Sequence, residues 1–371
     1  MGPFRSFSIA EDIRAASTLP AWVYSDPGVF AASRERVFVP SWQLAGDTDR
    51  VKVPGQVCPV SLLEGMIDEP VLLTRDAEDR VHCLSNVCTH RGNLVVESEG
   101  VEHVLRCRYH GRRFALDGRF HSMPEFDRTQ GFPSPADDLP RVPFGTWGKF
   151  LFASLRPAVP LETLVGPMDA RCGWMPIADA ALDPSRTREY IVRANWALYC
   201  DNYLEGFHIP YVHAALSDAL DYGQYTTETH GLSVLQVGVA KEGEDAFDLP
   251  RSSPDHGRRI AAYYWWLFPN LMFNFYPWGI SVNVVRPLDV DRTKVLFLAY
   301  VWDPSRLDRG AGAALDRVER EDEVIVESVQ RGVRSRLYER GRYSPTREQG
   351  VHRFHRLLAE VLGSESGPAP T

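Results

Sequence analysis

The chain has 371 residues, 44% hydrophobic and 24% charged, with a formal net charge of −8. That is the make-up of a soluble globular protein of two or three domains with enough apolar residues for a sizeable core. The acidic balance argues against a nucleic-acid partner, because neutralising phosphates takes clustered Lys and Arg. The first residues carry Arg5, Glu11, Asp12 and Arg14 and no apolar run, so a secretion signal is not expected and a cytoplasmic location is.

In chain order, residues 40–155 break into short apolar runs separated by turn residues: 56–64, 70–76, 80–86, 103–110, 112–120 and 148–155. Runs of this length and spacing predict a small all-β domain, a sandwich or barrel. Pro157 and Pro160 mark its end. The division is then 1–39, an N-terminal segment packing on the larger domain; 40–157, the small β domain; and 158–371, the larger domain. Within the last, 188–196 reads as a strand running into a helix over about 196–215. Residues 225–240 and 260–302 read as strands of an antiparallel sheet. A helix is predicted over 316–336, with apolar positions at Val318, Val324, Ile325, Val329 and Val333, and a last one over 346–362. Strands grouped apart from helices define an α+β class. The most apolar stretch, 261–285, is interrupted by Pro269, Asn270, Asn274, Pro277 and Asn283, and its alternation suits strands better than a membrane span.

The six cysteines are Cys58, Cys83, Cys88, Cys107, Cys172 and Cys200. Without a secretion signal a disulfide framework is a poor reading. Two of them stand at ligand spacing from histidines: Cys88-x-His90, sixteen residues, then Cys107-x-x-His110. Two Cys and two His can hold tetrahedral zinc, or a [2Fe–2S] cluster in which His replaces Cys on one iron. Each arm here carries one Cys and one His, which lets both thiolates reach one iron and both imidazoles the other. Gly92 and Gly111 follow the histidines where two loops must clamp a cluster. A structural zinc ribbon is the competing reading. The other four cysteines are expected to be small buried apolar residues, and His82 and His103 fall outside the spacing.

A second cluster lies in 195–213, where Glu205-x-x-His208 is followed by four residues and His213. Two histidines can converge on one ion with a carboxylate from elsewhere, a triad that leaves positions open for O₂ and substrate. Their spacing of five is not one helical face, so a kink is needed, and Pro210 can supply it. The predicted helix 316–336 offers Glu319, Glu321, Asp322, Glu323 and Glu327. Most acids on a helix solvate its outer face, and at most one of these need be a ligand. His352 and His355, three apart on the last helix, are read as packing or subunit-contact residues before a metal pair.

The C-x-H…C-x-x-H pattern resembles the Rieske signature. With the block DNYLEGFHIPYVH (201–213) and the tail YERGRYSPTREQGVHRFHRLL (338–358), the chain resembles the oxygenase (alpha) components of Rieske non-haem iron oxygenases of the ring-hydroxylating family. It looks most like their choline monooxygenase-like, quaternary-ammonium branch. The likeness runs from about residue 22 to 358. It implies a Rieske domain, 40–157, set into a helix-grip catalytic domain, 158–371, with one [2Fe–2S] cluster on Cys88, His90, Cys107 and His110. It also implies one mononuclear non-haem Fe(II) on His208, His213 and a carboxylate. In related oxygenases that carboxylate opens a D-x4-E segment, which here matches Asp322 through Glu327, with Glu323 as the alternative. The resemblance further implies a head-to-tail trimer, in which Glu205 links His208 to His110 of the partner subunit. Electrons would come one at a time from a reductase or ferredoxin, and O₂ and a small substrate would react at the iron. The chain departs from the pattern in having Glu rather than Asp at 205, Arg112 where Trp often follows the Rieske His-Gly, and one residue fewer between Asp201 and His208. Arg112 would alter partner docking.

The stretch 261–279 holds nine aromatic residues, Tyr263, Tyr264, Trp265, Trp266, Phe268, Phe273, Phe275, Tyr276 and Trp278. Aromatic faces attract quaternary ammonium groups. With Tyr203 near the iron motif, Phe273, Tyr276 and Trp278 are chosen as candidates for a cage around a trimethylammonium headgroup. Sheet core is the competing reading for each. The favoured function is monooxygenation of choline, betaine or carnitine. The alternatives are hydroxylation, dihydroxylation or O-demethylation of an aromatic compound, and a Rieske electron carrier with no oxygenase activity.

Overall fold

The computed structural model describes residues 5–363. The chain forms two compact units, Ser41–Pro157 and a larger one built from the chain before and after it.

The smaller unit is all β. Its strands are β1 (Gln43–Asp47), β2 (Gln56–Leu62), β3 (Glu69–Arg75), β4 (Val81–Ser85), β5 (Gly100–Val101), β6 (Leu105–Arg106), β7 (Arg113–Phe114), β8 (Phe120–Ser122), β9 (Phe144–Trp147) and β10 (Phe150–Ala153). They make three antiparallel sheets among the described residues, in the orders β4-β3-β2-β5, β1-β10-β9 and β6-β7-β8. The two-residue period of β3 explains the layering. Val71 and Leu73 pack with Cys58, Leu62, Cys83 and the β10 residues Leu151 and Ala153. Leu72, facing the other way, packs with Val57, Leu84, Leu105 and Phe114. Cys88 and Cys107 belong to this second cluster, so the core anchors the two loops that carry them.

The larger unit is α+β. Before and beside its sheet lie α1 (Pro27–Ser33) and α2 (Leu161–Cys172), then the strands β11 (Ala181–Leu182) and β12 (Arg188–Val192) and the short helices α3 (Trp196–Tyr203), α4 (Ile209–Val212) and α5 (Ala214–Ala219). The strands β13 (Thr226–His230), β14 (Ser233–Val239), β15 (Ile260–Leu267), β16 (Leu271–Tyr276), β17 (Gly279–Asp289) and β18 (Arg292–Val301) follow, and α6 (Leu315–Gly332) and α7 (Gln349–Leu362) close the unit. The sheet has eight antiparallel strands in the order β11-β18-β17-β16-β15-β14-β13, with β12 also on β18.

Register separates its two faces. Gln236 pairs with Tyr264, Tyr264 with Asn274, and Asn274 with Ser281, so these four share one face. Val237, Tyr263, Phe275 and Ile280 form the neighbouring row on the other, where Arg171 of α2 lies over the Tyr263 ring. The helix α2 has no counterpart in the sequence reading, because Gly166 and Pro167 interrupt its periodicity. No helix among the described residues is long and apolar enough to cross a membrane.

The helix predicted over 196–215 is broken into three. The break falls at 204–208, ahead of the expected kink at Pro210. Glu205 accounts for it: its Oε2 accepts the backbone N–H of His208 at 3.1 Å and that of Phe207 as well, a local capping that competes with helix continuation. Gly206 is required there, since a Cβ would lie 2.5 Å from Cε1 of Tyr225. The chain can then restart as α4 with Pro210 in its first turn.

Candidate metal centres and the cavity beside them

The two loops carrying Cys88 and Cys107 are copies of one local conformation. In the first, the N–H of Cys88 donates to the Asn93 carbonyl at 2.8 Å and that of Gly92 to the Cys88 carbonyl at 3.0 Å. In the second, Cys107 donates to Arg112 at 2.9 Å and Gly111 to Cys107 at 3.1 Å. Gly92 and Gly111 have φ of 73° and 74°, a region closed to most side chains. Both thiols are buried, and burial, with the Cys107 thiol alongside, raises the pKa of Cys88. His90 and His110 are half-buried, their rings 4.7 Å apart between centroids. A pair of thiols on the core side and a pair of imidazoles on the outer side fits a [2Fe–2S] cluster with one thiolate-bound and one imidazole-bound iron.

The neighbouring residues are otherwise engaged. His82 bonds Asp76 through Nε2 at 2.7 Å; His103 is exposed. Cys58, Cys83, Cys172 and Cys200 are free and buried. Arg112 is 2% exposed, ion-paired to Asp137 at 2.7 Å and set among the rings of Phe114, Phe120 and Phe132. Its side chain therefore presents little surface of its own.

In the larger unit, the break after α3 and the first two turns of α6 bring His208, His213 and Asp322 together, with one ligand atom from each inside a 4.8 Å cluster. Asp322 Oδ1 is 3.0 Å from Nε2 of His213 and 3.4 Å from Nε2 of His208. Donors about 2.1 Å from a common ion at near right angles stand ~3 Å apart, so the spacing suits a metal. Each imidazole is held from behind by a carboxylate: Glu205 Oε1 on Nδ1 of His208 at 2.6 Å, and Glu321 Oε2 on Nδ1 of His213 at 2.8 Å. Such bonds fix the tautomer and turn Nε2 toward the ion. Burial disfavours an imidazolium at His213, but Asp322 and Glu321 outweigh it and raise its pKa.

The remaining acids of α6 part company. Glu327 accepts the Arg193 N–H at 2.9 Å, and Glu323, the alternative ligand, stands outside the cluster. Glu319 accepts the O–H of Tyr199 at 2.9 Å, and burial, reinforced by Asp322, pushes its carboxyl up to about 8. His355 is buried against Asp201, Tyr24 and Tyr343, while His352 donates to the Ala10 carbonyl. The two rings meet through Tyr343, which each of them packs against.

A cavity with about 660 Å³ of empty space, its open mouth included, ends on His208, His213 and Asp322. Tyr199, Tyr203, Tyr225, Tyr264 and Tyr276 supply its aromatic wall, and Asn202, Gln236, Asn274 and Glu319 its polar groups. Two of the aromatics chosen from sequence belong elsewhere. Phe273 pairs with Trp265 on the face opposite Tyr264 and Asn274, so the strand period sends its ring away from the cavity. Trp278 stacks on Tyr276 at 5.3 Å but lines an adjoining space of about 1130 Å³. Tyr225, Tyr264 and Glu319 are cavity residues that sequence reasoning passed over. Tyr264 lies in the aromatic stretch, but nothing in its spacing says which face of the strand meets the helices.

Residues 178–364 match the ring hydroxylating alpha subunit (catalytic domain) family, and 41–133 the Rieske [2Fe-2S] domain. Choline monooxygenase of Arabidopsis thaliana chloroplasts is 32% identical over 94% of this chain and 84% of its own. The oxygenase subunit of the Escherichia coli K12 carnitine monooxygenase is 28% identical over 94% of each. Among solved structures, the quaternary ammonium Rieske monooxygenase CntA in complex with L-carnitine superposes with a TM-score of 0.75 at 24% identity, over 96% of this chain and 99% of that one. A Rhodococcus naphthalene 1,2-dioxygenase has the same fold, with a TM-score of 0.71 at 18% identity over 95% of each. The chain belongs to the ring-hydroxylating oxygenase alpha-subunit family. It is a Rieske non-haem iron oxidoreductase whose cofactors are a [2Fe–2S] cluster and a mononuclear iron, of an oxygenase family that takes electrons from a reductase and uses O₂ on a small substrate.

Proposed function

We propose that the chain is a terminal oxygenase that monooxygenates a small quaternary ammonium compound of the choline, betaine or carnitine type. The observation that carries this is the cavity: five tyrosines and no Lys or Arg line the space that ends on His208, His213 and Asp322. A trimethylammonium group gains about 0.5–2 kcal/mol from each aromatic face it meets, whereas an anionic aromatic acid finds no Lys or Arg side chain there. The quaternary ammonium chemistry of the choline and carnitine enzymes supports the same choice.

Cys88, His90, Cys107 and His110 would hold the cluster, and His208, His213 and Asp322 the iron. When bound, the two groups supply single electrons and the activation of O₂. Glu205 and Glu321 orient the two iron histidines. Tyr203, fixed by its O–H on Asn274 Oδ1 at 2.7 Å, and the tyrosines of the sheet position the substrate carbon and limit water around it. The finer assembly we infer is a trimer in which Glu205 joins His208 to His110 of the partner subunit. In support, Tyr211 and Val324, near the iron histidines, are 81% and 67% exposed, and Ile325 and Val329 add to that apolar surface. The electron donor is a separate reductase or ferredoxin.

The test is the iron–nitrosyl EPR signal of protein loaded with Fe(II) and nitric oxide, recorded with choline, glycine betaine, carnitine and a set of aromatic acids. The expected result is a signal absent from His208→Ala and reshaped by a quaternary amine. A signal reshaped only by aromatic acids overturns the substrate class; no signal in metallated protein overturns the iron site.

A further inference from the structure

The cavity holds three carboxylates, and two of them are committed. Asp322 stands between the histidines and Glu205 carries His208. Glu319 is the third. It sits one helical turn before Asp322 on α6, so both project to the same side. Among the described residues its one hydrogen-bond partner is the neutral hydroxyl of Tyr199, and no Lys or Arg pairs with it. It also lines the adjoining space that contains Trp278, so it stands where the two spaces meet. A carboxyl enclosed in this way is costly to hold as a bare anion. That cost is offset when a cation lies beside it.

The cationic headgroup of a substrate has the converse need, a negative group that is not already engaged: Glu205 and Glu321 are taken up by the two histidines and Asp322 lies between them. Tyrosine faces attract that headgroup but carry no charge. We propose that Glu319 is the specificity-determining residue of the substrate cavity, supplying the negative charge that completes the cage of Tyr203, Tyr225, Tyr264 and Tyr276 for a cationic headgroup. This rests on the quaternary ammonium reading and goes a step further: it says which group separates a charged headgroup from an uncharged one of the same shape.

The experiment is calorimetric binding under anaerobic conditions, with the full chain carrying cluster and Fe(II). The ligands are choline, glycine betaine and carnitine, each beside the isostere in which carbon replaces the quaternary nitrogen. Glu319→Gln keeps the size of the side chain and an acceptor for Tyr199. Expected is tight binding of at least one quaternary ammonium compound to the parent protein, its carbon isostere being weaker. In the variant the cation weakens by about tenfold or more while the isostere stays within about twofold. Glu319→Asp, which keeps the charge, recovers part of the discrimination. Equal loss for cation and isostere in Glu319→Gln assigns the residue to cavity shape and overturns the inference alone, as does no loss for either. Failure of the parent protein to bind any of the three cations overturns the substrate reading together with it.

Discussion

Replacing Glu321 by Ala removes a contact that the reaction never touches and tests how the iron site is held. In the parent protein Glu321 Oε2 engages Nδ1 of His213 at 2.8 Å, which leaves the lone pair of Nε2 facing Asp322 at 3.0 Å. Without it the ring can take the other tautomer, and a buried N–H loses its acceptor. Such partners are worth ~10–100-fold in metal affinity, about 1.4–2.7 kcal/mol. Glu321 is 34% exposed, so water can replace part of the bond and the loss belongs nearer tenfold. Glu205, 14% exposed and 2.6 Å from His208, belongs nearer the upper limit. The assay is anaerobic Fe(II) titration against a chromogenic chelator, with the visible spectrum of the cluster as internal control. Iron binding by Glu321→Ala indistinguishable from the parent would refute the idea that this carboxylate sets the His213 tautomer.

Other consequences follow from the same geometry. Tyr264→Leu is expected to raise KM for the quaternary ammonium substrate by roughly 2–30-fold, the worth of one cation–π contact, whereas Phe273→Leu leaves it near the parent value; steady-state kinetics on both variants compares the two faces of the sheet. Gly206→Ala pushes a methyl into the Tyr225 ring and should lower kcat/KM by about tenfold or more through displaced cavity groups, with an unchanged cluster EPR spectrum. Asp76 is buried, which alone would raise its pKa, but His82 and Arg80 hold it well below the usual carboxylate range. A depressed folded-state pKa contributes stability above the unfolded value near 4 that is lost as pH falls toward the folded value. Asp76→Asn should therefore cost about 1–3 kcal/mol at pH 7, the gap to the parent closing in acid, as read by denaturant unfolding. Ile325→Asp, placed in the exposed apolar stripe of α6, should dissociate the assembly in sedimentation velocity while leaving the monomer's far-UV spectrum intact.

What could be read from the sequence was what is local. The Cys88/His90 and Cys107/His110 loops are built from hydrogen bonds within five residues and from a glycine at positive φ in each, so the spacing of the motif already contains their geometry. The sheet was legible for the same reason, since a two-residue period needs no partner to be seen. The carboxylate was different. Glu319, Glu321, Asp322, Glu323 and Glu327 share one amphipathic helix, and only family resemblance chose among them. It is the phase of α6 against α3 that sets Asp322 between the histidines, Glu321 behind His213 and Glu319 into the cavity.

The aromatic stretch shows the limit most clearly. Alternation assigns Phe273 and Asn274 to opposite faces of β16, and Tyr263 and Tyr264 to opposite faces of β15. It does not say which face α2 covers and which α3 and α6 cover, because that depends on elements distant in the chain. The break at 204–208 combines both levels: Glu205 caps Phe207 and His208 locally, and the packing of Gly206 against Tyr225 adds a constraint from outside the segment. The sequence by itself determined the two metal-binding motifs, the α+β class and the strand alternation, all set by interactions within a few residues. The tertiary structure decided which acid meets the histidines, which tyrosines face the substrate space and which carboxyl is left there without a charged partner. Those choices follow from how separate elements pack, and no local pattern encodes packing.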